Sequence, residues 1–518
     1  MIYSRKKFLI PEIFILLFPL SLITGPLIPE ILMNTVSLFF LFFLFISKDY
    51  KILNNKFFYY YLAFVTYIIF NSYFSIYNEL IFLDNLFYFR FLIFVFAVYF
   101  FFLKNPKLII FFFYSLLLIF SVLIIDGFIE FFYGRNSLGA WQYRPDRISS
   151  FFGDKLVLGS FISKYFFMLI GLFFFLKDKM NKAILITSLI IISFSFVLIF
   201  LSGERSVFFA SIMGIIILFI TLNISIYKKF YIFLISILVV TATFSYNTKL
   251  YDRYVDQTVS QLSIFDIKKK EQNFFDRFKY YRLIFNTAYK GFLDKKLFGQ
   301  GPKSFRYFCS EDHLVTISKR KFTINNEILY FKAHKKVIHV KVDKIYVSKG
   351  QKLSKGDLVF SYVFNGEIKK FFSSREGLIK DIKVDVGQSI NIDFTILNLD
   401  LTGTDIPKIS TYNPNGCTTH PHQFYLQLLS ETGIVGTIFI FFNFIYISFI
   451  LVRFLFNKIF RKVTELNNTQ ICLITNFIVI LFPLITNGNF FNNWLNMTFL
   501  IQIAFSLFIF NKHKKKDY

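Results

Sequence analysis

The sequence predicts an α-helical polytopic membrane protein of about twelve transmembrane helices, interrupted by one large polar loop that carries a small all-β insert. Three observations predict it. Of 518 residues, 55% are hydrophobic and 21% aromatic, with a mean hydropathy of +0.54, a composition outside the soluble range. The formal net charge is +26, and many of the bases lie in short turns between apolar segments, as the positive-inside rule requires. That distribution argues for a membrane and against nucleic acid as the partner. Finally, between Asn247 and Thr419 no stretch is apolar enough to span.

Taken in order, Arg5, Lys6 and Lys7 precede the first span and place the N-terminus in the cytoplasm. Spans are expected near 8–25, 31–47, 57–76, 86–103, 107–129, 156–176, 183–201, 206–226, 229–246, 424–452, 470–487 and 494–511. Basic turns at 48–56, 104–107, 177–182, 228–229, 453–462 and 512–516 fall inside, which leaves both ends cytoplasmic. The first apolar stretch lacks a small-residue cleavage site, so no cleavable signal is expected. The chain divides into an N-terminal bundle (1–246), a loop with amphipathic helices (247–330), the insert (331–400), a histidine-bearing loop (401–423) and the C-terminal helices (424–518).

Within the insert, Val337–Val347 alternates as a strand does. A Ser-Lys-Gly-Gln turn at 348–351 is matched by Asp-Val-Gly-Gln at 385–388. Two strand–turn repeats of this kind resemble the barrel-sandwich fold of biotinyl/lipoyl domains and of the related module in membrane-fusion proteins. That family carries a modified lysine at a hairpin tip. The matching position here is Gly366 in Asn365-Gly366, a two-residue turn, so the insert is expected to be unmodified. Cys309 and Cys417 flank it, while Cys472 sits in a span as a small packing residue. In an oxidising compartment the first two are expected to pair, closing a loop for up to about 4–5 kcal/mol; the alternative is two free thiols.

Polar residues cluster at the outer ends of the spans. Asp126 and Glu130 end one span, and Arg205 lies in Leu-Ser-Gly-Glu-Arg-Ser with almost no loop around it. Its planar fork suits a phosphate, although a snorkelling charge reads the same way. Arg277 and Arg282 lie in an amphipathic, aromatic-rich stretch suited to the membrane interface. Glycines in Leu297–Phe305 permit a turn that brings backbone close to a ligand, without the Walker pattern. His420 and His422 sit where the polar loop meets a hydrophobic helix. Ionisable groups there point to chemistry, or else mark the interface and cap the helix. No cysteine and histidine spacing suggests zinc, and the loops hold no Asp-rich cluster, so neither metal nor cofactor is expected.

Together, Ser202–Ser206, Arg282–Ala288, Phe298–Pro302, His420–Gly436 and Asn487–Trp494, with Arg147–Asp154, resemble the O-antigen ligase/polymerase superfamily of bacterial polysaccharide enzymes. The resemblance covers the chain apart from the insert. It implies a glycosyltransferase in the bacterial inner membrane with its site facing the periplasm. Such an enzyme moves a glycan from undecaprenyl pyrophosphate to an acceptor hydroxyl, on lipid A-core or another glycan. The family has His-Asn where this chain has His422-Gln423, so His422 is the expected general base. The pyrophosphate-binding arginines fall on Arg205 and Arg282, with Arg277 the alternative for the second. His420 is an addition with an open role, Gln423 a displaced amide, and Glu431 a supporting partner. Ligase, polymerase and protein O-glycosylation share this pattern, and an exporter or a scaffold are the readings from other classes. The insert is expected to dock a partner of the export machinery or to position the acceptor.

Overall fold

In the computed structural model of the chain, the described residues are 9–48, 50–144, 146–225, 227, 248–256, 258, 281–309, 322–325, 340–354, 356–364, 367–373, 377–390, 395–400, 418–486 and 488–514. They form two compact units, one of Met1–Phe305 with Thr419–Tyr518 and one of Arg306–Thr418.

The first unit is helical: α1 Leu9–Ser21, α2 Leu27–Ser47, α3 Lys56–Tyr73, α4 Asn78–Leu86, α5 Phe89–Lys104, α6 Lys107–Tyr133, α7 Leu158–Leu176, α8 Lys182–Leu201, α9 Arg205–Thr221, α10 Arg282–Asp294, α11 Phe424–Phe460, α12 Asn468–Leu481 and α13 Asn493–Lys514. Among the described residues, seven helical stretches are long and apolar enough to cross a membrane, and α1, α9 and α12 are shorter apolar helices. This is a polytopic helical membrane protein. Every expected span coincides with a helix except 229–246, which lies outside the described residues.

A helix apolar on every face is covered by other helices or by lipid. From Phe94 to Phe102 every side chain of α5 is buried, and this helix packs against α2, α3 and α13. The α7 helix, buried almost as completely, packs against α8 and α12. Asparagines start α3, α8 and α12. The side chains of Asn55 and Asn181 accept from Phe57 and Ile184 at 2.9 Å, and Asn467 forms a full capping box with Gln470. One helix departs from regularity: α11 is broken at Gly433 (φ 64°, ψ −166°).

The second unit holds β1 Phe322–Asn325, β2 Val340–Ile345, β3 Lys352–Leu353, β4 Leu358–Phe364, β5 Glu367–Phe372, β6 Gly377–Ile382, β7 Ser389–Ile390 and β8 Thr395–Asp400. They make two four-stranded antiparallel sheets, in the orders β1-β8-β6-β3 and β5-β4-β2-β7. One apolar core, including Val342, Phe360, Phe371, Ile379 and Leu397, is shared by residues of both. The internal repeat is visible in the turns. Gly350 and Gly387 both take φ 84°, and Gln351 and Gln388 each accept at 2.9 Å from the backbone three residues back, at Ser348 and Asp385. Strand β1 pairs with β8, so this unit begins upstream of residue 331, the boundary read from sequence. The Asn365-Gly366 tip lies outside the described residues; Phe364 pairs with Glu367 on either side of it.

Candidate functional site at one end of the helical unit

The position of Arg205 is decided by the turn that precedes it. Gly203 has φ +66°, and a Cβ there would come within 2.7 Å of the Asp146 carbonyl oxygen and 2.8 Å of Arg147 Cγ. Only glycine lets the segment between α6 and α7 close over this turn. Arg147 donates from Nε to the Ser202 carbonyl at 3.2 Å and from its fork to the Leu156 carbonyl at 2.7 Å. Arg253 donates from Nε to the Gly203 carbonyl at 2.6 Å and pairs with Asp146 at 2.7 Å. Burial works to raise the Asp146 pKa, yet the guanidiniums of Arg253 and Arg144 hold it below the usual carboxylate range. Arg205 itself is half-buried, with its fork 3.1 Å from Thr258 Oγ1 and within electrostatic reach of Arg253, Tyr254 and Tyr281. Four arginines thus gather at one end of the bundle, an arrangement suited to an anion.

The carboxylates of α6 serve this corner from below. Asp126 accepts from Ser137 N at 2.7 Å and Glu130 from Ser149 N at 3.0 Å, which pins the loop that carries Asp146 and Arg147.

The glycine-rich segment has a different role from the one read in the sequence. Its backbone fills the break in α11. Gln300 N and Gly301 N donate to the Ser430 and Glu431 carbonyls at 2.9 and 2.8 Å, and Ile434 N donates to Lys296 O at 2.9 Å. These are groups that the break at Gly433 would otherwise leave unpaired. A Cβ at Gly299 would stand 2.5 Å from the Glu431 carbonyl carbon, and one at Gly433 2.2 Å from the Leu297 oxygen. The glycines therefore serve backbone-to-backbone contact. Glu431, fully buried, accepts from Lys303 N at 3.0 Å, Phe305 N at 2.9 Å and Gln427 Nε2 at 3.0 Å. From α3 and α4, Asn71 and Asn85 donate to the carbonyls of Phe298 and Pro302.

His422 sits on the helix start that this clamp holds. It has φ +58°, a left-handed backbone that costs a non-glycine residue about 1–3 kcal/mol. The turn places its ring 4.2 Å from that of His420 and 5.9 Å from that of Tyr281, centre to centre. Tyr281 stacks on Phe285 of α10 at 5.5 Å and also lies within electrostatic reach of Arg205, so it joins the two ends of the site. Thr419 Oγ1 lies 2.9 Å from His420 Nδ1. Burial lowers the His422 pKa, which keeps its imidazole neutral and basic near neutrality. Beside Phe424, an apolar cavity of about 360 Å³ opens between α3, α11, α12 and α13, lined by Phe64, Tyr88, Phe439, Phe490 and Phe499 among others.

Not every residue named from sequence belongs here. Gln423 caps α11 by accepting from Leu426 N, so its amide serves the helix. Glu431 holds the glycine-rich segment. Arg282 opens α10, but of this residue only the backbone is described, and Arg277 lies outside the described residues. Cys309 is disulfide-bonded and Cys472 is a buried free thiol; Cys417, the expected partner, lies outside the described residues. Sequence reasoning missed Tyr281 and Arg253, which sit in aromatic stretches with no recognisable anion pattern. Among the described residues, no group of three or more histidine, cysteine, aspartate or glutamate side chains is placed to hold a metal ion.

The fold and this corner define a class, that of polytopic helical membrane proteins. No family model matches the chain, and no curated protein matches it in sequence.

Proposed function

We propose that this protein is a glycosyltransferase of the O-antigen ligase type, which transfers a glycan from undecaprenyl pyrophosphate to an acceptor hydroxyl such as one on lipid A-core. The observation that carries this reading is the gathering of Arg205, Tyr281 and His422 at one end of the bundle, from segments far apart in the chain. A neutral imidazole and a guanidinium are the two groups such a displacement needs. His422 takes the proton of the acceptor hydroxyl as that oxygen attacks the anomeric carbon. The carbon–oxygen bond to the carrier breaks, and its electron pair leaves with the pyrophosphate, whose charge Arg205 stabilises. The apolar cavity beside Phe424 supports a lipid-borne substrate. In this reading the protein spans a bacterial inner membrane about twelve times with the arginine–histidine end facing the periplasm. Its second unit is a barrel-sandwich module that docks export machinery or an acceptor.

The test is deletion of the gene, with lipid-linked and surface polysaccharide resolved on gels and complementation by wild type or His422→Ala. Long polymer stranded on the carrier, restored to the surface by wild type alone, supports the ligase. Single repeat units on lipid A-core would instead mark a polymerase. Full complementation by His422→Ala would remove the general-base reading.

A further inference from the structure

Resting on that reading, we infer that Lys164 is a further binding residue for the donor, holding its pyrophosphate from α7 while Arg205 holds it from α9. Lys164 is a charged side chain inside a transmembrane helix, and α6, α8, α9, α12 and α13 all pack against α7. Its ammonium stands 5.2 Å from the ring centre of Phe499 on α13 and within electrostatic reach of Glu204 at the head of α9, so it points into the bundle. An ionisable group at such a position calls for a partner. Among the described residues none accepts a hydrogen bond from this ammonium or forms a direct ion pair with it. Glu204 is engaged elsewhere: it accepts from Ser160 N at 3.1 Å and from Ser160 Oγ, and faces Arg147 at 4.0 Å. From Leu158 to Leu169, Ser160 and Lys164 are the residues of α7 that keep some exposure. Four residues apart, they share one face, the face that meets Glu204, itself half-buried beside half-buried Arg205. Together these four side chains outline a crevice along α7 toward the arginine corner. Helical side chains lean toward the helix N-terminus, which for α7 is the end at that corner, so the ammonium rises toward it. On its other side, Phe499 belongs to the wall of the apolar cavity. Lys164 therefore lies between the arginine corner and the cavity, where the charged head of a lipid-borne donor is expected to sit. Arg147 and Arg253 hold backbone carbonyls and Asp146. A pyrophosphate carries two charged groups, and Lys164 offers a second point charge on a different helix from the Arg205 fork.

The test measures binding of inorganic pyrophosphate and of inorganic phosphate to the full-length protein in lipid nanodiscs, beside its thermal transition. The wild type should bind pyrophosphate more tightly than phosphate. Lys164→Gln should weaken pyrophosphate by about tenfold or more, with a smaller loss for phosphate, and Lys164→Arg, which keeps a cation, should stay close to wild type. Removing the charge also unbalances Glu204, so Lys164→Gln is measured again together with Glu204→Gln. That double variant should regain the wild-type thermal transition while its pyrophosphate affinity stays low. Wild-type affinity for pyrophosphate in Lys164→Gln or in the double variant overturns the inference, since Lys164 would then only balance Glu204. So does a wild type that binds no pyrophosphate. Pyrophosphate binding that depends on Lys164, in a protein that transfers no glycan, supports the anion site and strikes the glycosyltransferase reading alone.

Discussion

His422 is the residue whose backbone, burial and neighbours all bear on one property, its basicity. Burial disfavours the imidazolium, so the folded pKa lies below the ordinary value of about 6.5. The base form therefore survives to lower pH than a free imidazole would allow. The acid limb of kcat/KM should fall below about pH 6.5, and an acid limb above that value would contradict the assignment. The same sign applies to stability. Between the two pKa values the unfolded chain binds the proton first, so this contribution is present above the unfolded value and is lost as pH falls through the folded one. His422→Ala should reduce transfer about 10²- to 10⁴-fold. Arg205→Lys keeps the charge but loses the planar fork, and should cost about tenfold or more in kcat with little change in thermal stability. Equal transfer by the lysine variant would show that the fork is not used.

At the scale of elements, the break in α11 and the segment Leu297–Phe305 form one object. Neither can be altered without the other, because each supplies the hydrogen bonds the other lacks. Gly433→Ala places a Cβ 2.2 Å from the Leu297 oxygen and imposes a left-handed alanine; the backbone strain alone is about 1–3 kcal/mol, and the clash adds to it. Glu431→Gln turns one accepting oxygen into a donor facing a backbone N–H, at a cost of about 1.5–3 kcal/mol. Both variants should melt well below wild type in detergent, and a wild-type transition for either would show that the clamp is dispensable. The Arg253–Asp146 pair behaves likewise. Arg253→Gln removes one of the two guanidiniums on the Asp146 carboxylate and leaves Arg144, so it should cost about 1.5–3 kcal/mol.

For the whole molecule, the two units have separate cores, and strand pairing sets where the division falls. Cys309 Sγ lies 3.8 Å from the Thr418 carbonyl, so the two ends of the second unit are close together. Joining Phe305 to Thr419 through a short Gly/Ser bridge should leave the thermal transition of the helical unit unchanged. Removing only 331–400 strands β1 without β8 and should yield a less stable, aggregating protein. Loss of the helical transition in the first deletion would mean that the units depend on each other. Cys309 should resist alkylation until a reductant is added.

Hydropathy and charge placement in the sequence by themselves determined that the chain crosses a membrane, where its helices lie, and that a strand-rich insert interrupts them. Those properties are local: an apolar run long enough to span declares itself residue by residue, and alternation does the same for strands. The candidate arginine and histidine were legible because charges beside apolar helices are few. What Gly299 and Gly433 are for was not legible. A glycine that admits a ligand and one that admits another backbone have the same side chain, and only the partner strand or loop distinguishes them. Nor were Tyr281 and Arg253, which become part of the site through contacts across long separations. Tertiary structure alone decided that Glu431 clamps a loop and that Asn71 and Asn85 hold the same loop from two other helices. Each depends on which group lies within about 3–4 Å in space, a distance that order along the chain does not set.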